Sequence, residues 1–282
     1  MTNRRLAARA LLAALLTPLC ACSTETVLIP VSSSVSQSAT TGTSSPSSPE
    51  ASASGDPDTR AKMVSSMVGA RVYFGHQSIG FSILRELNEI ALEGGVGRLN
   101  HIDLAKGDTV PISGGFLANV KIGRNGHPLA KIKEFDAAMR AGLAQHLDVA
   151  ILKFCYLDVR ESTNVEAVFN AYRKALDSLQ SDFPNVAFIH ATVPLQVADH
   201  ANDNAARERL NRLIRKAYAS GHVWDLASVE STRPDGKRVT SESKGRAYEA
   251  LYPGYTDDGA HLNETGARLA AEAMLRSITD AL

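Results

Sequence analysis

Two apolar runs do most to limit what this chain can fold into. Residues 148–157 open Asp148-Val149-Ala150-Ile151-Leu152, and residues 186–191 read Val186-Ala187-Phe188-Ile189-His190-Ala191. A strand with one face in water alternates apolar and polar side chains; a continuous apolar run suits a strand covered on both faces. Each run is followed by a stretch with helical periodicity. In 164–181 the stripe is Val165, Val168, Phe169, Tyr172, Leu176 and Leu179, and in 204–220 it is Leu210, Leu213, Ile214 and Tyr218. Upstream, 70–75 reads as a first strand ending at a turn, and 79–93 as a helix stopped by Gly94-Gly95. Short strands are expected at 99–104 and 222–226, and further helices at 131–145 and 264–278. The Gly-rich segment 107–128 has no clear period and reads as loop. Strands alternating with helices predict an α/β fold of three layers, α/β/α, around a central, mostly parallel sheet. In such sheets, sites gather at the carboxyl ends of the strands. The polar connection 231–257 is long enough to be a functional loop.

The folded body is smaller than the 282-residue chain. Arg4, Arg5 and Arg9 precede the apolar run Leu11 to Leu16, and Leu19-Cys20-Ala21-Cys22 follows. A basic start, a short apolar stretch and small residues before a cysteine read as a secretory signal, too short to span a bilayer comfortably. Leu19-Cys20-Ala21-Cys22 resembles a bacterial lipobox, which implies a lipoprotein signal over residues 1–21 and Cys22 as the lipidated first residue of the mature chain; the alternative is an ordinary cleaved signal with Cys22 incidental. Residues 22–59, dominated by Ser, Thr, Pro, Ala and Gly, cannot bury enough apolar area to offset ordering and read as a flexible tether. Residues 60–282 form the expected domain. Cys155 is then the sole remaining cysteine, so no disulfide supports the fold. Formal net charge is zero, and loss of the signal arginines leaves the mature chain slightly acidic. That excludes the basic field a general nucleic-acid binder needs.

The chemistry-bearing residues lie at the two ends of the domain. Asp258-Gly259-Ala260-His261 precedes the last helix, and an Asp three residues before a His can fix the ring's tautomer and orientation. Ser78, just past the first strand in Phe74-Gly75-His76-Gln77-Ser78, could face a cleft beside the free N–H groups of a helix terminus. Ser78 would attack an ester carbonyl, His261 take its proton and Asp258 orient the imidazole. Each also has a simpler reading: Ser78 as a helix N-cap, Asp258 as a turn or cap residue, and His261 as a solvated turn residue.

The Phe-Gly-x-x-Ser turn after strand one, the strand–helix order and the terminal Asp258-Gly259-Ala260-His261-Leu262-Asn263-x-x-Gly266 together resemble the SGNH, or GDSL-like, hydrolases. Asn211, Asp225 and Thr192-Val193-Pro194-Leu195 sit in a compatible order, and the resemblance covers most of residues 70 to 280. It implies a flavodoxin-like three-layer enzyme that hydrolyses acyl esters, often O-acetyl groups on carbohydrates, without metal or cofactor. It further implies an oxyanion hole from the nucleophile's N–H, a Gly and an Asn. Ser78 and Gly123 match the first two, with Gly115 the alternative glycine. The chain departs from the pattern in two places. Gly-Asp-Ser is replaced by Gly75-His76-Gln77-Ser78, and Gly-x-Asn-Asp by Cys155-Tyr156-Leu157-Asp158. Loss of an oxyanion donor costs about 3–4 kcal/mol of transition-state stabilisation. Asn125, from the Gly-rich loop, is the candidate substitute.

His76 is a second candidate for the oxyanion hole, or a partner for Asp158, against the alternative of a turn histidine bonded to backbone. His76 and His261 lack convincing metal-ligand spacing. Cys155 suits a small core residue better than a nucleophile, and Lys153 is an unusual occupant of an apolar strand. Arg233, Lys237, Arg246, Tyr248, Tyr252 and Tyr255 could contact a glycan from the long loop. The expected partners are thus an acylated carbohydrate or other small ester, and a membrane reached through lipid on Cys22 in the bacterial cell envelope. The alternative is a weak or inactive relative that binds envelope polysaccharide or a protein.

Overall fold

The computed structural model describes residues 57–105, 110 and 113–282. Cys22, the signal and the body of the tether lie outside the described residues. The first helix, α1 (Pro57–Gly69), begins just before residue 60 and leads into β1 (Arg71–His76) and α2 (Ile79–Glu93). Then come β2 (His101–Asp103), β3 (Phe116–Lys121), α3 (Pro128–Arg140), β4 (Val149–Leu152), α4 (Val165–Asp182) and β5 (Ala187–Ala191). The chain ends through α5 (Ala201–Ala217), β6 (Val223–Trp224), α6 (Leu226–Ser231), the hairpin β7 (Thr240–Ser243) with β8 (Arg246–Glu249), and α7 (Glu264–Ala281).

The main sheet has the order β2-β3-β1-β4-β5-β6, and every pairing within it is parallel. Alternation along the strands divides the core. Val72, Phe74, Ile151 and Ile189 pack with α1, α2, α6 and α7 on one face. Tyr73, Ala118, Ala150, Leu152 and Phe188 pack with α3, α4 and α5 on the other. This is the expected three-layer α/β/α arrangement around a parallel sheet. The helix after β1 covers one face and the helix after β4 the other. The adjacent carboxyl ends of β1 and β4 therefore open a crevice of the kind in which α/β proteins bind ligands. Among the described residues, no helix is long and apolar enough to cross a membrane.

Sequence reading misses one strand that matters. β3 lies inside the stretch read as loop and pairs with β1 from Arg71↔Phe116 to His76↔Lys121. Glycines flank it, and a buried Asn119 interrupts its apolar pattern. Asn119 is affordable there because Nδ2 donates to Asp103 Oδ1 at 2.7 Å and Oδ1 meets His76 Nε2 at 3.2 Å. The polar 231–257 connection likewise contains the β7–β8 hairpin. Gly115, the alternative oxyanion glycine, stands immediately before β3, at the amino end of the sheet and away from the crevice. Its need for glycine is structural: a Cβ there would lie 1.9 Å from the Val68 carbonyl oxygen. Gly115→Ala must push backbone apart, so we expect it to destabilise the protein by about 1–3 kcal/mol, the usual range for overpacking. An unchanged melting temperature would refute this close approach between α1 and β3.

Candidate functional site

The turn from β1 into α2 is tight and strained. Gly80 is required because a Cβ there would lie 2.1 Å from His76 Nδ1. Gln77 Nε2 donates to the carbonyls of Ile122 at 3.0 Å and Gly123 at 2.9 Å, fastening the turn to the loop after β3. Ser78 follows with φ 28°, a left-handed value costly for a residue with a Cβ, on the order of 1–3 kcal/mol. It occupies the N-cap position of α2, but its hydroxyl makes no capping hydrogen bond. The capping explanation for Ser78 therefore fails. The backbone holds a partly exposed hydroxyl at the carboxyl end of the sheet's central strand, with the Ser78 N–H also without an acceptor among the described residues.

Asp258 and His261 form the expected pair. His261 Nδ1 lies 2.7 Å from Asp258 Oδ2, while Asp258 Oδ1 accepts the backbone N–H groups of Ala260 at 2.9 Å and His261 at 2.7 Å. The backbone bond from His261, the ring contact and the Ala260 N–H together hold the Asp258 carboxyl far below the usual carboxylate range. An ionised carboxylate only accepts, so Nδ1 carries the proton and the lone pair of the neutral ring sits on Nε2. The loop is fixed on both sides. Gly259, at φ 84°, gives its carbonyl to the Val197 N–H at 3.0 Å, and Asn263 caps α7 through the Gly266 N–H at 3.1 Å. Tyr156 meets the His261 ring edge-on at 5.7 Å. Ser78 and His261 are not hydrogen-bonded to each other: the Ser78 hydroxyl has no partner among the described residues.

The oxyanion candidates separate sharply. His76 is fully buried, stacked on Phe74 at 4.6 Å and edge-on to Phe81 at 4.7 Å. Burial and the nearby Lys153 ammonium push its pKa down to about 4. It is a neutral core ring bonded to Asn119, paired neither with Asp158 nor into the cleft. Gly123 spends its N–H on Glu134 Oε2 at 2.9 Å, so it is no free donor. Its glycine identity has another cause, since at φ 56° a Cβ would lie 2.6 Å from Lys131 Cγ. Asn125 is partly exposed: Oδ1 accepts from Lys131 Nζ at 2.9 Å, and Nδ2 has no acceptor among the described residues.

Sequence reasoning misses how the polar groups beneath this surface are paired. Lys131 and Asp158, both fully buried, form an ion pair at 2.6 Å. Asp158 also accepts the N–H groups of Gly126 at 2.8 Å and Cys155 at 2.7 Å. Arg207, fully buried, donates to the carbonyls of Tyr156 and Val159, both at 3.1 Å, to Asn204 Oδ1 at 2.7 Å and to Gln196 Oε1 at 2.6 Å. Lys153, the unusual occupant of an apolar strand, does not reach the surface. It is buried, bonded to the Phe154 carbonyl, and lowered by desolvation to about 8. Glu230, buried in turn, is raised to about 8. Cys155 is core, as expected. In the long loop Tyr255 is buried, while Arg233 lies over the Tyr252 ring at 5.9 Å.

No protein-family model and no curated protein matches the chain. Solved structures do. A protein provisionally described as a platelet activating factor, from Streptococcus pneumonia, aligns at 13% identity over 77% of this chain and 88% of that one, with a TM-score of 0.43. A protein provisionally described as lipolytic and of the G-D-S-L family, from Desulfitobacterium hafniense DCB-2, aligns at 11% identity over 74% of this chain and 99% of that one, again with a TM-score of 0.43. Likenesses this remote assign no role to any residue.

Proposed function

We propose that this chain is a serine ester hydrolase of the cell envelope, tethered through lipid on Cys22 and the 22–59 segment. Its substrate is an O-acylated, most simply O-acetylated, carbohydrate. Ser78 is the nucleophile, His261 the general base and Asp258 the orienting carboxylate, with the Ser78 N–H and Asn125 Nδ2 as oxyanion donors. The observation that carries this reading is the Asp258–His261 bond of 2.7 Å, which leaves Nε2 basic and half-exposed. The strained, uncapped Ser78 supplies a hydroxyl with no structural employment.

In the first step Ser78 Oγ forms a bond to the acyl carbon as its proton passes to His261 Nε2. Collapse of the tetrahedral intermediate expels the sugar hydroxyl, which takes that proton back. Water then repeats the sequence on the acyl-enzyme and releases the carboxylic acid. Catalytic hydrogen bonds are often open before substrate arrives and tighten in the complex, which accommodates the unmade Ser78–His261 contact. That same open contact also favours a second reading: a binding protein for envelope polysaccharide with no turnover.

The two readings part on hydrolysis of 4-nitrophenyl acetate and acetylated glycan by the purified full-length chain. Ser78→Ala should lower the rate at least about 10³-fold at unchanged melting temperature. Equal rates for both proteins would leave only the binding reading. Asp258→Asn should lower kcat on the order of 10³–10⁴-fold, because an amide no longer enforces the Nδ1–H tautomer. In the wild type the Asp258 carboxylate stays ionised across pH 5–9, since it titrates far below that window, so its own titration should leave no limb in the pH–rate profile there. Wild-type kcat in folded Asp258→Asn would argue against an orienting role.

A further inference from the structure

Lys131 is used by none of the steps above, yet it sits beneath the residue that replaces the missing oxyanion donor. It lies in the first turn of α3 and is fully buried, a placement that lysine tolerates only when its charge is paired. Two of its three donors are accounted for: one goes to Asp158 Oδ2 at 2.6 Å and one to Asn125 Oδ1 at 2.9 Å. An ammonium has no acceptor capacity, so the Asn125 oxygen must face Lys131 and the amide NH₂ must face away. The flip state of Asn125 is thereby dictated. A charge-assisted bond at the oxygen also draws electron density from the amide and strengthens its N–H groups as donors.

The loop bearing Asn125 is held at both ends over the crevice. Gln77, the neighbour of Ser78, ties Ile122 and Gly123 to the exit of β1. Asp158 ties Gly126 to the exit of β4 through Oδ1, while its other oxygen holds Lys131. Asn125 therefore bridges the two strand ends that flank the nucleophile. Gly123 can be nothing larger, because the loop lies directly on the Lys131 side chain.

We infer that Lys131 is a positioning residue for the oxyanion hole: its buried ammonium orients and polarises Asn125 so that Nδ2 donates to the charge developing on the substrate carbonyl. This rests on the serine-hydrolase reading. The test is a double-mutant cycle on the full-length chain with 4-nitrophenyl acetate, each rate corrected for folded fraction by circular dichroism. Asn125→Ala should lower kcat about 10²–10³-fold with little change in KM. Asn125→Asp, which retains the contact to Lys131 but offers no N–H, should fall as far. Lys131→Met should lose at least tenfold in kcat, and adding Asn125→Ala to it should cost far less than in the wild type. Full kcat in folded Lys131→Met, or losses that simply multiply, would overturn the inference. Should Lys131→Met fail to fold, Lys131→Gln with Asp158→Asn removes both charges together. Full kcat in that pair would overturn the inference equally, and a kcat loss with unchanged KM supports it. Absence of any Ser78-dependent hydrolysis in the wild type would instead reject the underlying enzyme reading, before Lys131 is tested at all.

Discussion

The ion pair between Lys131 and Asp158 is the contact on which the upper surface of the sheet depends. It ties the turn after β4 to a piece of chain far away in sequence, the loop after β3 and the first turn of α3 that follows it. Desolvating two charges costs several kcal/mol per ion, and their attraction offsets this only when the remaining donors and acceptors are satisfied. Here the carboxylate takes the ammonium and two backbone N–H groups, and the ammonium takes the carboxylate and an amide oxygen. Each part is costly alone and tolerable only with the others. The stability gained from such a pair is modest, and the geometric uniqueness it imposes is large.

That arrangement redistributes roles between two loops. The turn after β4 carries Asp158 inward, where its carboxylate is taken up by Lys131 and the N–H groups of Gly126 and Cys155. It thereby fixes the neighbouring loop that presents Asn125. Arg207 does the corresponding work on the opposite flank. Its guanidinium holds the Tyr156 carbonyl and the Gln196 side chain, Tyr156 packs on the His261 ring, and Val197 binds the Gly259 carbonyl inside the histidine loop. Two buried cations thus brace the two halves of the surface. Lys131 braces the loop that carries Asn125, and Arg207 the turn whose Tyr156 packs on the His261 ring.

The layers of the fold were legible because they follow from apolar period, and period survives in a single sequence. The helix after β1 falls on the expected residues, and the strands at β4 and β5 lie inside the two apolar runs. The local pair Asp258–His261 was legible too, since a bond across three residues needs no knowledge of tertiary structure. What could not be read were pairings made across the fold. β3 was hidden because a buried Asn broke its period, and that Asn is paid for by His76 and Asp103 from other strands. Lys131 reads as an ordinary polar position in an amphipathic helix, and only its contact with Asp158 makes it a buried one. Gly123 was visible as a special glycine, but for the wrong reason. Its N–H goes to Glu134, and its lack of a Cβ serves the approach to Lys131.

Ser78 shows where local rules fail informatively. A serine at a helix start should cap it, and a residue with a Cβ should avoid positive φ; Ser78 does neither. The strain has an identifiable source in its neighbours. Gln77 is tied to the loop after β3 and Gly80 passes against the buried ring of His76, so the positive φ of Ser78 falls in a stretch held on both sides. His76 therefore acts on the surface without reaching it. It is a buried ring under the turn, and position 80 must be a glycine to leave it room. The strain at Ser78, the burial of His76 and the glycine at position 80 thus meet in one short turn between β1 and α2.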